Sequence, residues 1–205
     1  MINNFKQLEG LLEFNNPGDF YFIQLIQRKK DNPEIERNMN VINNYFFYDI
    51  EKYRSLEERI VHECIMHNAR AYLRINKRNA KKVGMWMLKK VTDLIISEDY
   101  KALKNAYLSA AGDCHSQEYP RWIVDVDLPK EDFAIANHNA DIIEKTIKYL
   151  HEKFNHQKTY TILMNVPTKN GYHIITNPFR LDLFKEQFPD LDIHKDNPTI
   201  LYIPS

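Results

Sequence analysis

Thr159 to Thr176 reads TYTILMNVPTKNGYHIIT. Its two arms, Thr159 to Val166 and Tyr172 to Thr176, are rich in β-branched and aromatic residues. Pro167-Thr168-Lys169-Asn170-Gly171 between them has the turn chemistry of a hairpin with a longer loop. Upstream, Trp122 to Val126 (WIVDV) reads as a short strand, and Ile143, Ile147, Leu150 and Phe154 place a helix behind it. Downstream, Phe179 to Phe188 reads as a short helix and Thr199 to Ile203 (TILYI) as a last strand. Strand and helix therefore alternate after Gly112.

The N-terminal half has a different texture. Phe20 to Gln27 (FYFIQLIQ) follows the turn signal Asn16-Pro17-Gly18 and reads as a buried strand. Arg28 to Asn44 is polar and contains Asp31-Asn32-Pro33, which predicts a loop. Ser55-Leu56-Glu57-Glu58 has the spacing of a capping box, and Leu56, Ile60, Val61, Cys64 and Ile65 continue it as a helix of roughly three turns. Ala71 to Asn76 alternates, with Ala71, Leu73 and Ile75 on one face and Tyr72, Arg74 and Asn76 on the other. Two further helices are marked by Val83, Met87, Val91, Leu94 and Ile95, and by Leu103, Ala106, Tyr107 and Ala110. No repeat, low-complexity tract or Gly/Ser/Pro-rich linker divides the chain. The expectation is one α+β domain over residues 1–205, a mostly antiparallel or mixed sheet flanked by helices, with a strand and helical part at 1–69.

Composition narrows the function classes. In 205 residues, 43% hydrophobic and 12% aromatic side chains supply a sizeable core and exclude wholesale disorder. Twenty-eight basic residues balance twenty-eight acidic ones, which excludes a globally basic nucleic-acid coat but not a local basic face. Such a face is written between Arg70 and Lys90: Arg70, Arg74, Lys77, Arg78, Lys81, Lys82, Lys89 and Lys90, with no acidic residue among them. No run approaches eighteen apolar residues, and the first ten carry Lys6 and Glu9 where a signal peptide needs an apolar stretch. Cys64 and Cys114 cannot build a disulfide framework. A cytoplasmic protein with no membrane partner is expected.

Asp125-Val126-Asp127 is the sharpest chemical feature. On a strand, residues two apart point the same way, about 6.5 Å apart. Paired carboxylates raise each other's pKa unless a cation lies between them, and a hard ion such as Mg²⁺ or Mn²⁺ is the usual solution. A bare D-x-D also occurs as an acidic strand end in solvent. His173, after Lys169-Asn170-Gly171-Tyr172, can join backbone amides and Lys169 in holding a phosphate, or serve as a hydrogen-bonded structural residue. The polar loop before it places it at a solvent-facing edge, on the side of the Asp125/Asp127 pair. Lys81, Lys82, Lys89 and Lys90 fit a solvated helix face. Arg74, Asn76 and Arg78 continue one strand face with Tyr72 beside them, a set suited to phosphates. His62, Cys64 and His67, and Cys114-His115, match no regular zinc spacing. P-loop, G-x-G-x-x-G, G-x-S-x-G and K-x-D-G motifs are absent from the sequence.

The order of these features resembles the catalytic core of the archaeo-eukaryotic primase superfamily, the primase-polymerases, over residues 70–205. The matching pieces are Tyr72-Leu73-Arg74-Ile75-Asn76-Lys77-Arg78, then Ile123-Val124-Asp125-Val126-Asp127, then Thr168 to His173. The resemblance implies a metal-dependent nucleotidyltransferase using nucleoside triphosphates on nucleic acid, DNA or RNA. Asp125 and Asp127 would bind the catalytic Mg²⁺ or Mn²⁺, with Asp192 as third carboxylate and Asp196 as the second candidate for that place. His173, Lys169, Arg74 and Arg78 would hold the nucleotide, and Tyr72, Asn76 and Lys77 the nucleic acid. The sequence departs from the family's second motif, where a serine commonly stands two before the histidine and Gly171 stands here. With no accessory helicase or zinc domain expected after residue 205, a separate helicase or replication protein is an expected partner. A non-catalytic nucleic-acid-binding relative and a metal-dependent phosphoesterase are the alternatives.

Overall fold

The computed structural model describes residues 1–113, 120–127, 133–154 and 162–205, with backbone alone for 133–140 and 154. Strand β2 (Asp19–Arg28) is the spine of the first sheet. It pairs antiparallel with β3 (Met39–Phe47) on one side and β4 (Arg70–Arg74) on the other. A short strand, β5 (Arg78–Asn79), pairs with the start of β2. The chain then returns from its far end: β10 (Pro198–Ile203) pairs with β4, and β1 (Ile2–Asn3) pairs with β10, giving the order β1-β10-β4-β2-β3. Segment 1–69 and the later strands β4 and β10 thus share one sheet.

A strand stands where the polar composition of 28–44 predicts a loop. In β3, Met39, Asn40 and Val41 are exposed and Ile42, Asn43 and Asn44 half-buried, and the strand is held by backbone pairing to β2 from Tyr21↔Phe47 to Arg28↔Met39. An edge strand needs a partner's ladder more than apolar side chains of its own.

Two sheets are present where one was expected. The second contains β6 (Trp122–Asp127), β7 (Ile162–Pro167), β8 (Gly171–Thr176) and β9 (Asp192–His194), in the order β7-β8-β6-β9. Helix α5 (Phe133–Phe154) connects β6 to β7, and α6 (Leu181–Gln187) connects β8 to β9. This is the β-α-β-β-α-β connectivity of a split βαβ pair, with the first and third strands adjacent at the centre. Every pairing among the described residues is antiparallel. Residues 159–161, expected to open β7, lie outside the described residues.

Pleat alternation divides the second sheet's faces. Val124, Val126 and Ile174 pack with Ile143, Ile147 and Leu150 of α5 and Phe184 of α6. Ile123, Val166 and Ile175 face the other way, into one core with Leu73, Leu201 and Tyr202 of the first sheet. That core also takes the buried stripe of α2 (Ile50–Met66): Tyr53, Leu56, Ile60 and Cys64. The α2 cap is Asp49, whose carboxylate accepts from Lys52 N, so the helix starts a turn and a half before the expected Ser55. Ser55 instead sits inside the helix and donates to Lys52 O at 2.8 Å. Helix α1 (Phe5–Glu9) buries Phe5 and Leu8 against this core.

Helix α3 (Ala80–Ile96) is capped by Asn79, which accepts from Lys81 N at 3.1 Å. A 3-10 turn (Tyr100–Asn105) and α4 (Ala106–Asp113) follow. Val83, Ala110 and Ala111 meet Phe20 and Phe22 on β2 in a small separate core. No helix among the described residues is long and apolar enough to cross a membrane.

Arg78 fixes the junction of these parts and is fully buried. Its guanidinium donates to Asp196 Oδ2 at 2.7 Å, to Ala111 O at 2.7 Å and to Asn76 O at 2.7 Å. Removing the carboxylate leaves a buried charge without its counterion. Asp196→Ala is expected to lower unfolding free energy by about 3 kcal/mol in urea titration. An unchanged midpoint would show that the carbonyls alone satisfy Arg78.

Candidate functional site

The inward face of β6 begins apolar at Ile123 and turns acidic at Asp125 and Asp127. Register places Asp125 between His173 of β8 and Asp192 of β9, and Asp127 opposite Gly171. Cross-strand partners share a face, so Asp125, His173 and Asp192 project to the same side of the sheet. Strands β6 and β8 can approach this closely at Gly171 because it has no side chain. A Cβ there would stand 1.9 Å from the carbonyl oxygen of Val126.

His173 links the two sheets. Its Nε2 lies 3.5 Å from Asp125 Oδ1, and its Nδ1 lies 2.8 Å from the hydroxyl of Thr199 on β10. Thr199 is fully buried and the imidazole nearly so. The geometry suits Nδ1 accepting from the hydroxyl while Nε2–H points at the carboxylate. The hydrogen bond from His173 holds the Asp125 carboxyl below the ordinary carboxylate value, against the opposing effect of burial; the charges of His173 and His194 act with it.

This face opens into a concavity of about 530 Å³ between the sheets. Asp125, Asp127 and His173 line one wall. Ile26, Tyr72 and Ile200 line the other, and Arg28, Lys30, Lys169 and Asn170 stand around them. Asp31, on the turn after β2, ties the walls together. It pairs with the buried Arg70 at 2.7 Å and approaches Lys169 at 3.6 Å. Burial pushes the Asp31 carboxyl up, but Arg70 as hydrogen-bond donor, with the charges of Arg70 and Lys169, holds it below its usual value. Partial desolvation, then the like charges of Arg28 and Arg70, hold Lys30 below its own. Among the described residues, no hydrogen bond or ion pair engages the side chains of Arg28 or Lys30.

The structure therefore divides the sequence candidates. Asp125, Asp127, His173, Lys169 and Tyr72 meet in the concavity. Arg74, Asn76, Lys77 and Arg78 do not line it; Lys77 and Arg78 line a second cavity beside α3 instead. Arg74 donates to Gln24 Oε1 at 3.3 Å and Asp196 O at 2.8 Å, with its guanidinium over the Phe22 ring. Asn76 is buried, donating to Arg121 O and Lys195 O at 3.0 Å and accepting from Arg121 N at 2.7 Å. Lys77 pairs with Asp19 at 2.9 Å, and Arg78 is the buried partner of Asp196 described above. A run of cationic and polar residues reads as surface, but here Asp19, Asp196 and backbone carbonyls take up all four side chains.

Asp196 is thereby engaged by Arg78, and Asp192 is exposed beside Asp125 without lining the concavity. No group of three or more His, Cys, Asp or Glu side chains gathers as a metal cluster among the described residues. The donor set at the concavity is the Asp125/Asp127 pair. It suits Mg²⁺ or Mn²⁺, which take one or two carboxylates with water and substrate phosphate completing the shell. Cys64 is buried in α2, its thiol pushed up to about 12 by burial and then by Glu63, while His62 and His67 are exposed. These three do not converge. Cys114 and His115 lie outside the described residues.

Sequence reading missed Arg28, Lys30, Asp31, Thr199 and His194. The first three sit in the segment taken for a loop, and their polarity was the available signal. Thr199 carries none, because a threonine inside TILYI looks like any strand residue. Comparison of the chain with protein-family models, with curated proteins and with solved structures finds no match.

Two outcomes test this geometry. Gly171→Ala is expected to cost about 3 kcal/mol, because the β6–β8 ladder must part to admit a methyl group; urea unfolding at neutral pH measures it, and wild-type stability would refute the close approach. The second concerns acid. A depressed folded pKa makes ionised Asp125 stabilising above the ordinary value of 3.8, and this contribution disappears as pH falls through the folded value. Asp125→Asn is therefore expected to flatten the loss of stability on going from pH 5 to pH 3, and an unaltered slope would contradict the assigned cause.

Proposed function

We propose that this chain is a metal-dependent nucleotidyltransferase of primase-polymerase type, acting with nucleoside triphosphates on nucleic acid. The observation that carries the reading is Asp125 in register with His173, Asp127 beside it, on the wall of a concavity bordered by Lys169, Arg28 and Lys30.

Asp125 and Asp127 are the residues that would hold Mg²⁺ or Mn²⁺. A divalent ion bound there supplies charge neutralisation at the phosphate and a lowered pKa for an attacking 3′-hydroxyl. The chain's own residues do the remainder. Thr199 fixes the ring of His173, whose Nε2–H is thereby held toward Asp125 and orients that carboxylate on the concavity wall. Lys169, Arg28 and Lys30 draw a polyphosphate inward by charge and orient its tail. Ile26, Tyr72 and Ile200 give the base and sugar an apolar wall from which water is excluded. The mixed lining, acidic on one wall and basic at the border, matches a nucleoside triphosphate with its cation.

One observation favours a second reading. Asp192 stands beside Asp125 but outside the lining, so two carboxylates rather than three meet the concavity. That suits a nucleic-acid-binding relative without catalysis. A phosphoesterase using the same aspartates remains the third alternative.

Primer extension with labelled nucleotides and Mn²⁺ separates them. Extension by the wild-type chain, reduced at least a hundredfold in Asp125→Ala and Asp127→Ala, is the expected result. Nucleotide binding by calorimetry without extension on DNA or RNA templates would favour the non-catalytic relative. Nucleotide-independent hydrolysis of phosphodiesters, lost in the same variants, would favour the phosphoesterase.

A further inference from the structure

We propose that the N-terminal half of α3 and the cavity beside it bind single-stranded nucleic acid, with Trp86 as the base-stacking platform and Lys81, Lys82 and Lys89 as phosphate contacts. The inference rests on the nucleic-acid reading of the concavity and extends it to a surface that shares no lining residue with it.

Helix α3 is seventeen residues long, yet among its side chains Val83 alone is fully buried. Beside its first turns lies a cavity of about 550 Å³, lined in part by Lys77, Lys81, Lys82, Met85 and Trp86. Trp86 is 47% exposed and Met85 64% exposed. The Nζ of Lys89 sits 5.2 Å from the Trp86 ring centroid. Charge around this indole is uneven. Lys77 is paired with Asp19 and Lys90 with Asp113, at 2.9 and 2.6 Å. Among the described residues, no carboxylate pairs with Lys81, Lys82 or Lys89. Three uncompensated cations therefore surround an open aromatic face at the mouth of a cavity.

A solvated lysine face has no use for an exposed indole, which presents apolar area to water at a cost. A polyanion satisfies the lysines, and the indole selects which polyanion. A single strand offers a stackable base for every phosphate, matching an aromatic platform flanked by cations. Duplex hides its bases, and an acidic peptide has a charge for each lysine but no repeated π-face for Trp86.

The test uses the full chain, a fluorescent 20-mer of thymidine and anisotropy, without divalent cation or nucleoside triphosphate. Trp86→Ala is expected to weaken binding about tenfold, and Trp86→Phe, which keeps a ring, to recover most of the loss. The double variant Lys81→Ala/Lys82→Ala is expected to reduce the slope of log K against log salt by about 1.4, at ~0.7 per phosphate on a single strand. Affinities and slopes within error of wild type in both variants overturn the proposal. So does tighter, Trp86-dependent binding of polyglutamate or of anionic phospholipid vesicles, which would assign the surface to an acidic protein or a membrane. Calorimetry of nucleoside triphosphate with Mn²⁺ keeps the two readings apart. Absence of nucleotide binding by the wild type defeats the concavity assignment, while the oligonucleotide result still decides the α3 surface.

Discussion

Where Pro198–Ile203 pairs with Arg70–Arg74, the far end of the chain is fixed against its middle, and the site depends on that ladder. The pairing lays Thr199 against Leu73 in the first sheet and brings its hydroxyl within 2.8 Å of His173 in the second. Without it, the imidazole would have one partner, Asp125, on its own sheet, and nothing would fix its ring across the gap. Such long-range pairing gains its contacts only after a large loop has been closed. The Ile123, Ile175, Leu201 and Tyr202 core supplies the apolar burial that offsets this entropy.

The same closure organises charge. Asp196, just before β10, receives Arg78 and the amide of Asn76, while its carbonyl receives Arg74. Three residues from the basic stretch are thereby spent on holding the C-terminal return in place. Buried groups of this kind tolerate no loss of a partner, so the network specifies one arrangement of the two sheets. Across the concavity, Asp31 does the corresponding work at the surface, bridging Arg70 and Lys169 from opposite walls.

A division of labour among the cations follows. Those placed next to Asp19, Asp31 or Asp196 became structural. Arg28 and Lys30, on β2 and the turn after it, face the concavity, and Lys81, Lys82 and Lys89 face solvent around Trp86. Net charge is zero over the whole chain, yet two separate surfaces carry cations without carboxylate partners among the described residues.

Elements with their own periodicity were legible in the sequence by itself: the WIVDV strand, the hairpin around Gly171, the β2 spine, the apolar stripe of α2, and the α+β class with antiparallel pairing. Pleat parity also placed Asp125 with Asp127. Those features are local, set by alternation, turn chemistry and side-chain volume within a few residues. Tertiary structure alone decided the division into two sheets, the strand in 39–47, and which cations are buried. It alone brought Thr199 to His173, whose place on the side of the Asp125/Asp127 pair the sequence already indicated. Each of these depends on a partner far away in the chain, and a cation's fate depends on whether a carboxylate arrives beside it. The residue type names what a side chain can do; only the partner that the fold brings to it determines which of those things it does.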